Sequence, residues 1–164
     1  NHSTPQAIHA VQSGEADFAV ITTPTVTDKT LKTTRLCDFQ EILIAGNTFQ
    51  ALAEQKLSLQ DLLQFPLICM EKNTITRQFY QKLFLEPSIE TATADQILPL
   101  VKHELGLAFL PKAMAKEAIA HREILCIPLK DKIPKRSVSM IYDARGPRSV
   151  AAQTFQKILL EEGE

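Results

Sequence analysis

The chain has 164 residues, 45% of them apolar, enough to build one domain or two small lobes with a real core and too many for a disordered segment. Eighteen Lys and Arg against nineteen Asp and Glu leave a net charge of −1, too weak a field to draw nucleic acid or an anionic membrane to this segment. No apolar run approaches the roughly 18 residues of a membrane span, and the opening NHSTPQAIHA lacks both an initiator Met and the regions of a signal peptide, so an excised fragment is expected.

Along the chain, "STPQAIHAVQSGEADFAVI" predicts a helix and then a strand. Ser3 or Thr4 caps the helix, Pro5 suits its first turn, and Gly14 ends it. Residues 17–21 form a nearly continuous apolar run, which predicts a strand covered on both faces in a parallel sheet. A hydroxyl-rich loop, residues 22–25, follows it. Residues 31–46 predict one or two strands. Residues 57–63 predict a short helix opened by Ser58, with Asp61 three residues on. Residues 65–70 form another buried strand, and residues 73–76 cap a helix running to about Phe84. A strand at 88–93 and a helix at 94–104 lead to a short strand at 107–110. Next come a helix at 112–120, strands at 124–129 and 137–142, and a closing amphipathic helix at 149–161. Strand and helix alternate with short connections, which argues for an α/β fold with helices on both sheet faces.

The chemistry-bearing residues form no catalytic set. His2, His9, His103 and His121 lack metal-ligand spacing and are expected in solvent. Cys37, Cys69 and Cys126 are scattered in apolar surroundings, so buried free thiols in a reducing cytoplasm are expected. No nucleophile elbow, HExxH or phosphate loop is present. The expectation is therefore a protein that is not an enzyme and needs no cofactor or metal. What remains is binding chemistry: Thr22, Thr23 and Thr25, then Asn73, Thr74 and Thr76, then Thr91 and Thr93, each group following a strand and opening a helix or loop. Ligands of parallel α/β sheets sit at such carboxyl ends. Arg77 is the one nearby cation, able to add a charge-assisted contact. Each of these residues taken alone serves equally as an ordinary helix cap.

"LVKHELGLAFLP" resembles the effector domain of LysR-type transcriptional regulators, in which a helix ends in V-x-x-G-x-G before a short apolar strand and a proline. Here Glu104 stands where that family often has its first glycine, and Gly106 matches the second. "VQSGEADFAVI", "LSLQDLLQFPLI", "EPSIETATADQILPLV" and "RSVAAQTFQKIL" resemble further landmarks of the same family in the same order.

The resemblance implies a two-lobed fold similar to type 2 periplasmic binding proteins, with mixed, mainly parallel sheets and a small effector in the cleft. Lobe I would hold residues 1–44 and 136–164, and lobe II residues 45–135, with hinges near 44–46 and 133–136 where Gly46 and Pro134 lie. The effector contacts carried over are Thr22, Thr23, Asn73, Thr74, Ile75, Thr76, Thr93 and Ala94. The family's earlier strand, loop and helix are not matched, so an incomplete lobe I, impaired effector binding and an unusual dimer or higher oligomer are expected. The partners implied are a small, anionic metabolite, a second copy of the chain, and DNA only through a separate helix-turn-helix; no membrane is implied. A secreted solute-binding protein of the same fold is the alternative. An enzyme lobe related to prephenate dehydratase finds only a partial echo in "TRQF" at 76–79.

Overall fold

The computed structural model describes residues 3–23, 29–83, 85–146 and 149–161. Thr25, His2 and Phe84, named above, lie outside them. The chain folds as two compact units, one of Asn1–Phe39 with Arg136–Glu164 and one of Gln40–Lys135.

The first unit opens with helix α1 (Thr4–Gln12), entered through Ser3, whose amide donates to the Gln6 side chain at 2.9 Å. Strands β1 (Ala19–Thr22) and β2 (Leu31–Phe39) follow. The unit closes with β8 (Arg136–Asp143) and helix α6 (Val150–Glu161), the strands between belonging to the second unit. Its sheet runs β1-β8-β2 and is antiparallel throughout, with Val20 opposite Met140 and Phe39 opposite Arg136. Val11, Ile21, Leu31 and Ile141 form its core. The expectation of a parallel strand covered on both faces at 17–21 is corrected here: Ile21 is buried, but Val20 is 47% exposed. An apolar run marks a strand and says nothing of its direction, which the partner β8 sets from more than a hundred residues away. Helix α6 is fastened at its start by Ser149, whose hydroxyl donates to Asp17 at 2.7 Å, and along its length by Phe155 stacked on Phe18 at 5.5 Å.

The second unit holds β3 (Glu41–Ala45), α2 (Gln50–Ala53), β4 (Leu67–Met70), α3 (Ile75–Gln81), β5 (Ile89–Thr91), α4 (Ile97–Lys102), β6 (Leu107–Pro111), α5 (Lys112–Ala120) and β7 (Leu125–Ile127). Its five strands lie in the order β5-β4-β6-β3-β7. Strand β4 runs parallel to β5 and β6, whereas β3 runs antiparallel to β6 and β7. Among the described residues, then, the sheets are mixed rather than mainly parallel. The period of two along each strand sends Leu43, Leu67, Leu107 and Phe109 to one face, where Phe79 and Tyr80 of α3 cover them. It sends Ile44, Ile68, Ala108 and Leu110 to the other, against Ile97 and Val101 of α4 and Ala115 and Ala118 of α5. Burial on both faces explains the unbroken apolar runs at β4 and β6.

The first crossing between units lies at Phe39/Gln40, earlier than the 44/45 boundary expected, because all of β3 pairs into the five-stranded sheet. Gly46 accordingly lies inside the second unit. A side chain there would collide with the Glu104 carboxylate and with the Val101 carbonyl oxygen at 2.8 Å, so close packing rather than hinge motion accounts for this glycine.

The reversal after α4 is a Schellman turn. The Leu105 amide donates to Leu100 at 3.2 Å and the Glu104 amide to Val101 at 3.0 Å, with Glu104 left-handed at φ 65°. Such a conformation disfavours any residue with a Cβ, and here the Glu104 side chain compensates. Its carboxylate accepts from the Thr48 hydroxyl at 2.6 Å and from the Asn47 and Thr48 amides at 2.9 and 3.1 Å. Those bonds, the Thr48 hydroxyl foremost, hold its pKa below the ordinary carboxylate range. Helix α5 ends in the same turn, with Arg122 left-handed at φ 59° and its carbonyl accepting from the Asn47 side chain at 3.2 Å. Gly106 then brings β6 against Pro66, whose carbonyl accepts from Leu107 at 2.9 Å. A Cβ at Gly106 would collide with that same carbonyl.

Candidate functional site

The residues expected to bind a ligand fall into two groups, one in each unit. In the second unit, β4 and β5 are adjacent and parallel, Met70 opposite Thr91, so both chains leave the sheet at the same edge. The Glu71 amide donates to Thr91 O at 3.0 Å and holds the two exits together. From the first exit the chain enters α3 through Thr74. The Thr74 hydroxyl donates to Glu71 O at 2.8 Å and accepts from the Arg77 amide at 3.1 Å. The second exit enters a 3₁₀ turn, Ala94–Gln96, through Thr93, and the Gln96 side chain folds back to accept from the Ala92 and Thr93 amides at 3.1 and 3.4 Å. Asn73 is exposed, and Thr74, Ile75, Thr76, Thr93 and Ala94 are half-buried. Six of the eight expected residues thus gather on two neighbouring strand ends. Thr91 is different: it is buried, and its hydroxyl donates to Cys69 O at 3.3 Å inside the sheet.

Arg77 does not serve the site. Its side chain is fully buried, with Nη1 donating to Leu85 O at 2.9 Å and Nη2 to Glu86 at 2.7 Å, while Nε has no hydrogen-bond partner. The guanidinium turns inward because it ties α3 to the segment after it, a contact invisible in the local pattern of the helix.

In the first unit, Thr22 ends β1 and Thr23 follows it. The Thr23 amide donates to Ser137 O at 2.9 Å, the Ser137 amide donates to the Thr23 hydroxyl at 3.0 Å, and the two hydroxyls lie 2.6 Å apart. The sequence reading passed over Arg136. It is 3% exposed, its Nε donates to Thr23 O at 2.8 Å and its Nη2 to the Thr22 hydroxyl at 3.1 Å. Its guanidinium lies over the Phe39 ring, 5.3 Å from the centroid. The available signal was phase: Arg136, Val138 and Met140 alternate along one strand, so the arginine shares a face with apolar residues.

Of the three cysteines, only Cys69 is buried, and burial pushes its thiol up to about 11. Cys37 and Cys126 are exposed, against expectation, since each sits at a strand position that the sheet turns outward. His9, His103 and His121 are exposed. Among the described residues no group of three His, Cys, Asp or Glu side chains could hold a metal ion. Among the described residues of the second unit, one hollow of about 280 Å³ lies beside Gln40, Cys126 and Ile133 and another of about 720 Å³ beside Ser58, Leu63 and Lys82. Neither includes a residue named above as a ligand contact.

Comparison with known proteins gives one consistent answer. The family model described as LysR substrate binding domain matches residues 1–164. A probable RuBisCO transcriptional regulator of Trichormus variabilis (strain ATCC 29413 / PCC 7937) is 20% identical over 98% of this chain and 51% of its own. The chain therefore spans about half the length of that curated relative. The regulatory domain of Synechocystis PCC6803 CcmR, solved in complex with 2-PG, superposes with a TM-score of 0.84 at 20% identity, over 99% of this chain and 80% of that one. The effector binding domain of QuiR, solved with shikimate, gives 0.79 at 16%, over 99% and 78%. At such identities the likeness to solved structures speaks to the fold, which is that of the regulatory domains of this family.

Proposed function

The chain belongs to the LysR substrate binding domain family, and we propose that it is the effector-sensing part of a DNA-binding transcriptional regulator, acting on a small anionic metabolite. Its contacts are the turns after β1, β4 and β5: Thr22 and Thr23, then Asn73, Thr74, Ile75 and Thr76, then Thr93 and Ala94. The observation that carries this reading is the pairing of the β4 and β5 exits, which sets two capped turns side by side at the carboxyl edge of parallel strands. Buried Arg136 adds a fixed positive charge at the Thr22–Thr23 turn. Hydroxyls, amides and one buried cation suit a carboxylate or a phosphate.

Sensing in such a regulator is a shift of populations: the effector biases the domain only by its differential affinity for two states. DNA contact belongs to another part of the regulator, since this chain carries a net charge of −1. The domain self-associates and resides in the cytoplasm, where its three thiols stay reduced. Among the described residues no helix is long and apolar enough to cross a membrane.

The test is a thermal-shift and calorimetric panel of 2-phosphoglycolate and shikimate, the molecules bound in two structural neighbours, together with inorganic phosphate as the simplest anion. A true effector at about 100 times its Kd adds about 2.7 kcal/mol, which at ~2–4 °C per kcal/mol raises Tm by roughly 5–11 °C. Thr22→Val and Thr93→Val each weaken the response. No shift by any member of the panel would sink the anionic reading.

A further inference from the structure

We propose that Arg136 is the positioning residue of the Thr22–Thr23 turn and the link between that turn and the two points where the chain crosses from one unit to the other. The proposal rests on the functional reading above, in which that turn contacts the effector.

The argument begins with where Arg136 stands. It is the first residue of β8, immediately after the return crossing at Lys135/Arg136. Its sheet partner, Phe39, is the last residue of β2, immediately before the outward crossing. The guanidinium lies over the Phe39 ring and at the same time donates to Thr23 O and to the Thr22 hydroxyl. One rigid planar group therefore touches the end of β1 and both crossing strands. A charge that is 3% exposed is costly to bury, and the fork geometry of arginine spreads that cost over several fixed donors in a way lysine cannot reproduce.

A second fastening of the same turn allows the two roles to be separated. Ser137 holds Thr23 through its amide, carbonyl and hydroxyl, with no contact to Phe39 among the hydrogen bonds described. Loss of the Ser137 hydroxyl removes one fastening of the turn and leaves the contact with Phe39 in place. Loss of the arginine loosens the turn and uncouples it from Phe39. A displacement of Thr22 and Thr23 on ligand binding moves the guanidinium with them, and the guanidinium carries the displacement to the crossing strands.

The experiment is amide hydrogen exchange on the protein and on Arg136→Met, Arg136→Lys and Ser137→Ala, with and without inorganic phosphate. Without phosphate, Arg136→Met speeds exchange about tenfold in both the 19–23 and the 36–40 segments, whereas Ser137→Ala speeds only the first. Arg136→Lys keeps the charge, guards against a methionine variant that fails to fold, and restores the 19–23 segment more than the 36–40 segment. With phosphate, both segments of the parent are protected, and in Arg136→Lys only the 19–23 segment is. Unchanged 36–40 exchange in both arginine variants without phosphate overturns the proposal; so, where phosphate protects that segment of the parent, does equal protection of it in the arginine variants. If phosphate protects neither segment of the parent, the functional reading falls for this anion, while the phosphate-free comparison still decides whether Arg136 is the link.

Discussion

Replacing Gly106 by alanine perturbs the reversal between α4 and β6 at its closest approach. A Cβ built on Gly106 lies 3.1 Å from the Pro66 carbonyl carbon and 3.3 Å from the Pro66 Cβ, with the carbonyl oxygen nearer still. Ordinary carbon contacts fall at about 3.5–4.0 Å, so backbone must give way by several tenths of an ångström. The atoms that would move also form the Leu107-to-Pro66 hydrogen bond and begin the β4–β6 pairing, Leu67 opposite Leu107. Overpacking costs about 1–3 kcal/mol and a weakened backbone bond about 0.5–1.5 kcal/mol. The expected loss is about 2–4 kcal/mol, or roughly 4–16 °C in Tm at ~2–4 °C per kcal/mol. Urea unfolding followed by far-ultraviolet circular dichroism measures it. Gly146→Ala is the control, since no atom lies within 4 Å of its added Cβ, and it should stay within about 0.5 kcal/mol of the parent. If Gly106→Ala unfolds as close to the parent as that, with an unchanged m-value, the Pro66 approach is not a rigid constraint and the account of the reversal is wrong.

Arg77→Met should cost about 1–3 kcal/mol, the penalty of a buried acceptor, Leu85 O, that loses its donor, and it should leave any effector response intact. Arg77→Ala adds a cavity and should lose about 2–5 kcal/mol in urea titration. Tyr80→Phe removes the phenol that donates to Glu41, a carboxylate only 5% exposed, and should cost about 1–3 kcal/mol by thermal unfolding. For Glu104 the folded pKa lies below the unfolded one, so its contribution is complete above the unfolded carboxylate range and fades as pH falls through the folded value. The stability gap between Glu104→Gln and the parent should accordingly be widest near neutral pH and close on acidification; a gap that stays constant in melts across acid pH refutes the role given to the carboxylate.

The elements themselves were largely visible in the residues. Ser3, one of the two caps read for α1, opens it, Thr74 and Thr93 open the turns assigned to them, and α5 covers the residues expected. Each of these is set within a few positions of chain, by a cap, a breaker or a period of two or 3.6. The 57–63 segment shows the same locality in part. Ser58 and Asp61 exchange the reciprocal bonds expected, yet only a 3₁₀ turn, Asp61–Gln64, forms. The candidate site was legible to the same degree: the hydroxyls at the β4 and β5 exits could be named, but not that Thr91 turns into the sheet while Thr93 caps a turn.

Strand direction and the fate of the charged side chains were not written locally. The antiparallel sheet of the first unit joins Thr23 to Ser137 across 114 residues, and no neighbouring residue announces that partner. Arg77 and Arg136 show the same thing from opposite sides. The first has the position of a ligand contact and is spent inside the second unit, and the second has the appearance of a surface residue and lies buried beneath a turn. Caps and periodicities are short-range interactions that a stretch of chain satisfies with its own atoms. Which way a strand runs, and which acceptors a buried guanidinium finds, depend on groups that meet only when distant segments pack together.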